Sequence, residues 1–333
     1  MALRAVVTVS GEWPAPVKLL LPQRFTYFRF VREVLRAAAG SDVVILRGTS
    51  GFEERYRELV AAIFVKMRFR QPPFVVVGDA TWTTSSESLA SRLPRAFRRF
   101  VPRVSKWVVR LADSPRVIYC VLSTDEQAWF STQWGIDSER VRFTPFFATV
   151  PERWLRAVRD GGYIFAGGNS YRDYELLVEA VEGLGYPVRI ASAWQPGRAL
   201  PQNVTVERLG LDQYDDAMAG ATLVVVPLCQ MPRSAGQQTY LSAMRLGKPV
   251  IVTKAAGVCD YVQEGETGRV VDSDPASLRA AIEWVLDPSN REQVAAMVAR
   301  ARRAVDERYL KPHYLERLWE VAEGAAGPGG TTA

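Results

Sequence analysis

At 333 residues, 48% hydrophobic and 23% charged, the chain has room for two domains with separate cores, and its composition excludes a disordered or membrane-embedded protein. Its 42 Lys and Arg outnumber 36 Asp and Glu, and the resulting +6 charge invites an anionic partner. Cys120, Cys229 and Cys259 are scattered, which argues against a zinc site or a disulfide framework and fits a reducing cytoplasm; no metal is expected. No apolar run reaches a membrane span, and the opening MALRAVVTVSGEW reads as a first strand rather than a signal peptide.

Ala5 to Ser10 is that strand. Arg24 to Ala39 predicts a helix with Phe28, Val31, Val34, Leu35 and Ala38 on one face, and Asp42 to Leu46 a second strand. A helix over Glu53 to Phe69 would turn Leu59, Val60, Ile63 and Met67 inward, before a third strand at Phe74 to Gly78. This alternation predicts a doubly wound α/β half with a parallel sheet. Asp79-Ala80-Thr81-Trp82 then falls at the carboxyl edge of the sheet, where open α/β folds hold ligands. Asp79 reads either as the cap of the next turn or as a carboxylate that holds a hydroxyl or acts as a base.

In Ser88 to Ala112, apolar Leu89, Leu93, Phe97, Phe100, Val104, Trp107, Val108 and Leu111 recur every three or four residues, cations fill the other faces, and acids are absent. Pro94 and Pro102 divide the segment into shorter helices. Two readings stay open. One is a surface for an anionic membrane, with Arg95, Arg98, Arg99, Arg103, Lys106 and Trp107 as contacts; the other is an interdomain helix whose cations are merely solvated. No motif accompanies the charge, so a nucleic-acid partner is not expected. Val117 to Leu122 is a strand, Thr124 to Trp134 a helix with Thr124 as N-cap, and Val141 to Pro145 closes the half.

The second half opens with a strand at Tyr163 to Ala166. The loop Gly167-Gly168-Asn169-Ser170-Tyr171-Arg172 follows, its paired glycines able to let a phosphate approach the backbone, and then a helix to Leu184. Val188 to Ala191 and Val204 to Glu207 are strands, and a short helix starts near Gly210. Leu223 to Val226, a helix through Tyr240, Leu241, Met244 and Leu246, and Pro249 to Val252 form a βαβ unit. The loop inside it, with Ser234, Ala235 and Gly236, reads as an anion site at a helix N-terminus or as an ordinary turn. Arg269 to Val271 is a last strand, Asp274 caps a helix to Leu286, and helices over Arg291 to Arg308 and Tyr314 to Ala322 precede a small-residue tail, Gly324 to Ala333.

Ala243-Met244-x-x-Gly247-Lys248-Pro249-Val250-Ile251-Val252-Thr253, followed by Gly257-Val258, Tyr261-Val262 and Gly265-Glu266-Thr267-Gly268, resembles the donor half of family 4-like glycosyltransferases of the GT-B fold. The resemblance extends over roughly residues 160 to 290. It implies two Rossmann-like doubly wound domains facing each other across a cleft: an acceptor domain over 1–150 and a donor domain over 151–311. A last helix near 312–323 would cross back onto the first domain, and 324–333 would be a flexible tail. The implied activity moves a sugar from a nucleoside-diphosphate sugar to a glycan, glycolipid or small-molecule acceptor, retaining configuration, without metal or other cofactor. The membrane reading would make the enzyme peripheral to the inner membrane face.

Residue by residue, Arg172 matches the second of two family cations set against the donor diphosphate, and Gly168 stands where the first would be. Gly167 and Asn169 belong to the same loop. Arg208 and Leu209 would neighbour the base, Ser234, Ala235, Gly236, Gln237 and Gln238 the phosphate or sugar, and Ser242 the ribose. Ser234 and Ser242 replace the family's Glu-x7-Glu pair, and Asp79 stands where the family often has a histidine; Asp79 acting as a base toward the acceptor would imply inversion. These departures leave two other classes open, an inactive nucleotide-binding scaffold and a sugar-nucleotide epimerase.

Overall fold

The computed structural model describes residues 3–48, 56–80, 82 and 100–327. Two compact units emerge, residues 1–145 with 312–333 and residues 146–311. The boundary falls after Pro145 rather than near Val150, because Phe146 to Val150 hydrogen-bond to second-unit residues. The Phe146 amide donates to Tyr261 Oη, the Ala148 amide to Tyr309 O, and Arg245 donates to Val150 O.

In the first unit the short β-branched runs become β1 (Ala5–Val7), β2 (Val17–Leu19), β3 (Val43–Leu46), β4 (Phe74–Val77), β5 (Val117–Val121) and β6 (Val141–Phe143), paired in parallel in the order β2-β1-β3-β4-β5-β6. β2 was not anticipated. It is three residues long, follows Pro14 and Pro16, and leaves Lys18 and Leu19 exposed, as suits an edge strand.

Helices α1 (Tyr27–Ala38), α2 (Arg57–Arg68), α3 (Val101–Ala112) and α4 (Thr124–Trp134) alternate with these strands. In α1 and α2 the buried face overlaps the expected one but is shifted. α1 turns Phe30, Val31, Val34, Ala37 and Ala38 inward and leaves Phe28 85% exposed. α2 buries Leu59, Ala61, Ala62 and Val65, with Met67 74% exposed and Val60 and Ile63 at the core margin. Alanines made the difference: they let a helix lie close to a sheet, and a pattern weighted to large side chains overlooks them. Ser123, not Thr124, caps α4, its hydroxyl accepting from the Glu126 amide. Trp82, Tyr119, Phe130 and Trp134 form an aromatic cluster in the core, with centroids 5.5–6.4 Å apart.

The second unit repeats the plan. β7 (Ile164–Gly167), β8 (Val188–Ala191), β9 (Val204–Glu207), β10 (Leu223–Val226), β11 (Val250–Thr253) and β12 (Arg269–Val271) are parallel, in the order β12-β11-β10-β7-β8-β9. Its helices are α5 (Glu152–Leu155), α6 (Tyr174–Val181), α7 (Leu211–Ala219), α8 (Gln237–Arg245), α9 (Pro275–Leu286) and α10 (Arg291–Arg308). β7, β10 and β11 are buried along their whole length, which is why they read as unbroken apolar runs.

The last helix, α11 (Lys311–Ala326), packs on the first unit, where Tyr314 Oη donates to Gly78 O at 2.8 Å. It carries Gly324 to Ala326, so the expected tail begins later; residues 328–333 lie outside the described part.

Each sheet has one place where the chain reverses its direction of strand addition. In the first it lies between β1 and β3, in the second between β7 and β10. Crevices at the carboxyl ends of such neighbouring strands are where open α/β sheets take ligands.

Candidate functional site

At the second switch point two loops meet, 168–173 after β7 and 227–236 after β10. Their backbones are joined: the Asp173 amide donates to Pro227 O and the Cys229 amide to Tyr171 O, each at 3.0 Å, around an antiparallel bridge between Arg172 and Leu228. Tyr171 adopts left-handed φ of 53° to make this pairing. Such a conformation is costly for a residue with a side chain and persists where the surroundings impose it.

Arg172 lies at the centre. Its Nε donates to Gly167 O at 3.0 Å, Nη1 to Ser170 O at 2.6 Å and Nη2 to Thr239 Oγ1 at 3.3 Å. The guanidinium is therefore held by neutral oxygens, and its charge is not cancelled by a carboxylate in either loop. The nearest acid in sequence, Asp173, accepts from the Leu176 amide and caps α6, and Glu175 accepts from the Gly197 amide.

Both glycines are required here. A Cβ on Gly167 would lie 2.5 Å from the Tyr214 ring, and one on Gly168, whose φ is 107°, would lie 2.8 Å from Arg172 Nη2. The place where the resemblance expects a first cation is thus filled by the guanidinium of the second.

Tyr174, Tyr214 and Thr239 complete the setting, and sequence reasoning missed all three. Tyr174 Oη donates to Gly168 O at 2.5 Å, and burial pushes its phenol up to about 12, so it keeps that proton at neutral pH. Tyr214 Oη and Thr239 Oγ1 are 3.1 Å apart. Burial raises the Tyr214 phenol as well. The spacing of Thr239 from Gly236 was the usable signal, since it puts a hydroxyl in the first turn of α8.

The other expected donor residues divide. Gly236, with φ of 91°, is the N-cap of α8, and Gln238 is exposed beside it. Ala235 is half-buried in the same loop. Arg208 is exposed and Leu209 half-buried just after β9, on the same carboxyl edge.

Four residues are hydrogen-bonded within the protein instead. Asn169 Oδ1 accepts from Ser192 Oγ and from the Ala193 amide, tying its loop to the one after β8. Ser234 and Gln237 are buried, and Gln237 Nε2 donates to Ser234 Oγ at 2.6 Å. Ser242, 2% exposed, accepts from the Thr149 and Val150 amides, both at 3.2 Å. Its hydroxyl thus holds the chain leading into the second unit, where the resemblance had put a ribose partner. A serine is short enough for that chain to pack directly on α8.

At the first switch point the crevice is closed by a carboxylate. Glu58, buried at the start of α2, accepts from Thr8 Oγ1 at 2.5 Å, the Gly48 amide at 2.7 Å and the Arg47 amide at 3.1 Å. Gly48, with φ of 91°, lies against the Asp79 backbone, where a Cβ would come within 2.7 Å of Asp79 O. Gly48 O also accepts from Trp82 Nε1. Asp79 itself is 7% exposed at the end of β4, so it is a buried group.

The basic amphipathic segment is described from residue 100 onward; Arg95, Arg98 and Arg99 lie outside. α3 buries Val101, Ser105, Val108, Val109 and Ala112. Of the expected apolar face, only Val108 is buried among the described residues. Phe100, Val104, Trp107 (63%) and Leu111 remain exposed, with Arg103 and Arg110 exposed and Lys106 half-buried beside them. α2, which packs along α3, adds exposed Phe64 and Met67. Residues 59–73 and 100–112 contain no acid.

A separate cavity of about 630 Å³ lies beside β12, lined by Lys254, Cys259, Arg269 and Trp284 among others. Arg269 is paired there with Glu264 at 2.7 Å and stacked on Trp284. Among the described residues no group of three or more histidines, cysteines or acids is arranged to hold a metal ion, and no helix is long and apolar enough to cross a membrane.

No curated protein matches the sequence. Residues 176–288 match the family model described as "Glycosyl transferases group 1". Among solved structures, HepE from Anabaena in complex with UDP-glucose superposes with a TM-score of 0.64 at 16% identity, over 93% of this chain and 86% of that one. A glycosyltransferase from Rickettsia africae gives 0.62 at 12% identity, over 90% and 81%. WaaG, a glycosyltransferase involved in lipopolysaccharide biosynthesis, gives 0.57 at 15% identity, over 96% and 89%. The structural likenesses establish the GT-B fold, and residues 176–288 are similar to the group 1 glycosyl transferase domain.

Proposed function

We propose that this glycosyltransferase takes a sugar from a nucleoside-diphosphate sugar bound at the switch point between β7 and β10. The observation that carries the reading is Arg172, a guanidinium held by Gly167, Ser170 and Thr239 in a loop pair without a competing carboxylate. In the complex it would receive the charge that builds on the leaving diphosphate, assisted by the first-turn amides of α8 behind Gly236. Preorganised donors of this kind need no rearrangement as the glycosidic bond breaks. HepE, solved with UDP-glucose on the same fold, supports a nucleotide-sugar donor. Retention of configuration without a metal belongs to the proposal.

The direct test is Arg172→Ala. It should weaken a nucleoside diphosphate by about 1.5–3 kcal/mol, the range for a charged hydrogen bond, and leave the bare nucleoside unchanged in calorimetry. Equal loss for both ligands would remove Arg172 from the phosphate site. The anomeric configuration of the first product, read by NMR, separates retention from inversion, and Asp79→Asn asks whether a base is needed.

The exposed faces of α2 and α3 support a second element of the proposal, peripheral contact with an anionic membrane that presents or surrounds the acceptor. Apolar side chains flanked by Lys66, Arg68, Arg103 and Arg110 suit a lipid headgroup layer, at about 1 kcal/mol per surface-proximal cation. Vesicles containing phosphatidylserine should bind the protein and release it as salt rises. Joint replacement of Arg103, Lys106 and Arg110 by Glu should abolish binding while the melting temperature holds. Absence of vesicle binding by the parent would end this part of the reading.

A further inference from the structure

We infer that Thr239 donates its hydroxyl proton directly to the diphosphate of the donor, beside Arg172. The inference rests on the donor-site reading above and adds a residue that the sequence pattern did not mark.

The case is one of hydrogen-bond accounting. Thr239 Oγ1 accepts from Arg172 Nη2 at 3.3 Å, a bond whose direction is fixed because a guanidinium only donates. It also lies 3.1 Å from Tyr214 Oη. The phenol keeps its proton near neutral pH, since burial raises it. Each of the two hydroxyls thus carries a proton, yet they share a single hydrogen bond, and neither has another acceptor among the described residues. One proton is left over at a threonine that is 4% exposed. A donor buried in this way is costly to leave unbonded, which marks the spot as a place for an acceptor atom.

The chemistry of the pair assigns the spare proton to Thr239. A phenol is more acidic than an alkyl hydroxyl, so it is the better donor and the poorer acceptor, and Tyr214 gives its proton to Oγ1. Both lone pairs of Oγ1 are then taken, by Tyr214 and by Arg172, and the threonine proton turns away from both. Arg172 has a matching surplus: its bonds to Gly167, Ser170 and Thr239 leave one hydrogen on each of Nη1 and Nη2. The hydrogens of Nη2 diverge by about 120°, so an oxygen held by the free one would sit about 5 Å from Oγ1. That separation is too large for one oxygen to serve both groups and lies within the span of a diphosphate. Guanidinium and hydroxyl therefore take different oxygens of the same ligand.

The test uses the full chain and calorimetric titration with UDP, GDP, ADP and pyrophosphate, each nucleotide against its nucleoside. Thr239→Val, matched in size but without the hydroxyl, should raise the Kd of whichever diphosphate the parent prefers by about 10-fold or more, as for a hydrogen bond to a charged acceptor. The nucleoside Kd should stay within about twofold, and Thr239→Ser should keep the diphosphate Kd within about threefold of the parent. The deciding measurement is Thr239→Val in the Arg172→Ala background, where a direct bond still costs about 10-fold. No further loss in that background would make Thr239 a support for Arg172 alone; the inference then fails and the donor-site reading stands. A loss in Tyr214→Phe as large as in Thr239→Val would put the spare proton on the phenol and overturn the assignment. Equal weakening of nucleoside and diphosphate by Thr239→Val would show damage to the loops rather than a lost bond, and the inference fails. If the parent binds none of the probes, the donor-site reading falls, and this inference with it.

Discussion

The two sheets share a strand plan and treat their switch points in opposite ways. Between β1 and β3, the Glu58 carboxylate fills the crevice and accepts from Thr8, Arg47 and Gly48 of the protein's own loops. Between β7 and β10, a guanidinium occupies the crevice and is held only by neutral oxygens. A carboxylate whose acceptor sites are taken by backbone amides organises a surface, whereas a cation held by carbonyls keeps its charge for a ligand. The same topology therefore yields a rigid edge in one unit and an anion-receptive edge in the other.

The largest expected effect comes from breaking the rigid edge. Glu58→Ala leaves the Thr8 hydroxyl and the Gly48 amide without their acceptor, while the Arg47 amide keeps Thr8 Oγ1 at 2.7 Å, and should cost about 3 kcal/mol or more in unfolding of the first unit. Scanning calorimetry would show this as a lowered transition. A loss below about 1 kcal/mol would mean that water replaces the carboxylate and that this crevice is as receptive as the other.

Next comes the receptive edge. Gly167→Ala forces a Cβ into the Tyr214 ring and should cost about 1–3 kcal/mol by overpacking. Because Tyr214 and Thr239 set the Arg172 fork, diphosphate affinity should fall with it. A stable variant with full affinity would show that Arg172 needs no such support.

Ser242 sharpens the comparison from another side. Its hydroxyl accepts from the Thr149 and Val150 amides, so Ser242→Ala should cost about 1–2 kcal/mol of stability and leave nucleotide affinity unchanged. A fall in affinity without a fall in melting temperature would return Ser242 to the ribose.

The smallest effect lies at the amino edge of the second sheet. Burial lowers the Lys248 ammonium to about 8 from its ordinary 10.5, and it donates to Arg159 O. Between those values the unfolded chain holds a proton that the folded chain has released, so stability rises with pH across that window. Relative to Lys248→Met, the parent should gain at most about 1 kcal/mol between about pH 7 and pH 9 in chemical denaturation. No gain would mean that the amine stays protonated through its carbonyl contact.

By itself the sequence determined most of the strands, the doubly wound plan, the turn glycines and Arg172 in its loop. Short β-branched runs between punctuating glycines admit few other structures, and a cation next to a helix start is conspicuous. It also carried the landmarks from Ala243 to Gly268 that resemble the donor half of family 4-like glycosyltransferases. Tertiary structure decided which face each helix buries, because α1 and α3 carry apolar residues on more than one face and only contact with a sheet selects among them. Burial of Val101, Ser105 and Val109 left Val104 and Trp107 outside. It also decided the direction of each small polar side chain. Serine and asparagine can serve a ligand or the chain equally well, and Ser242 and Asn169 serve the chain since amides from residues 93 and 24 positions away come to rest against them.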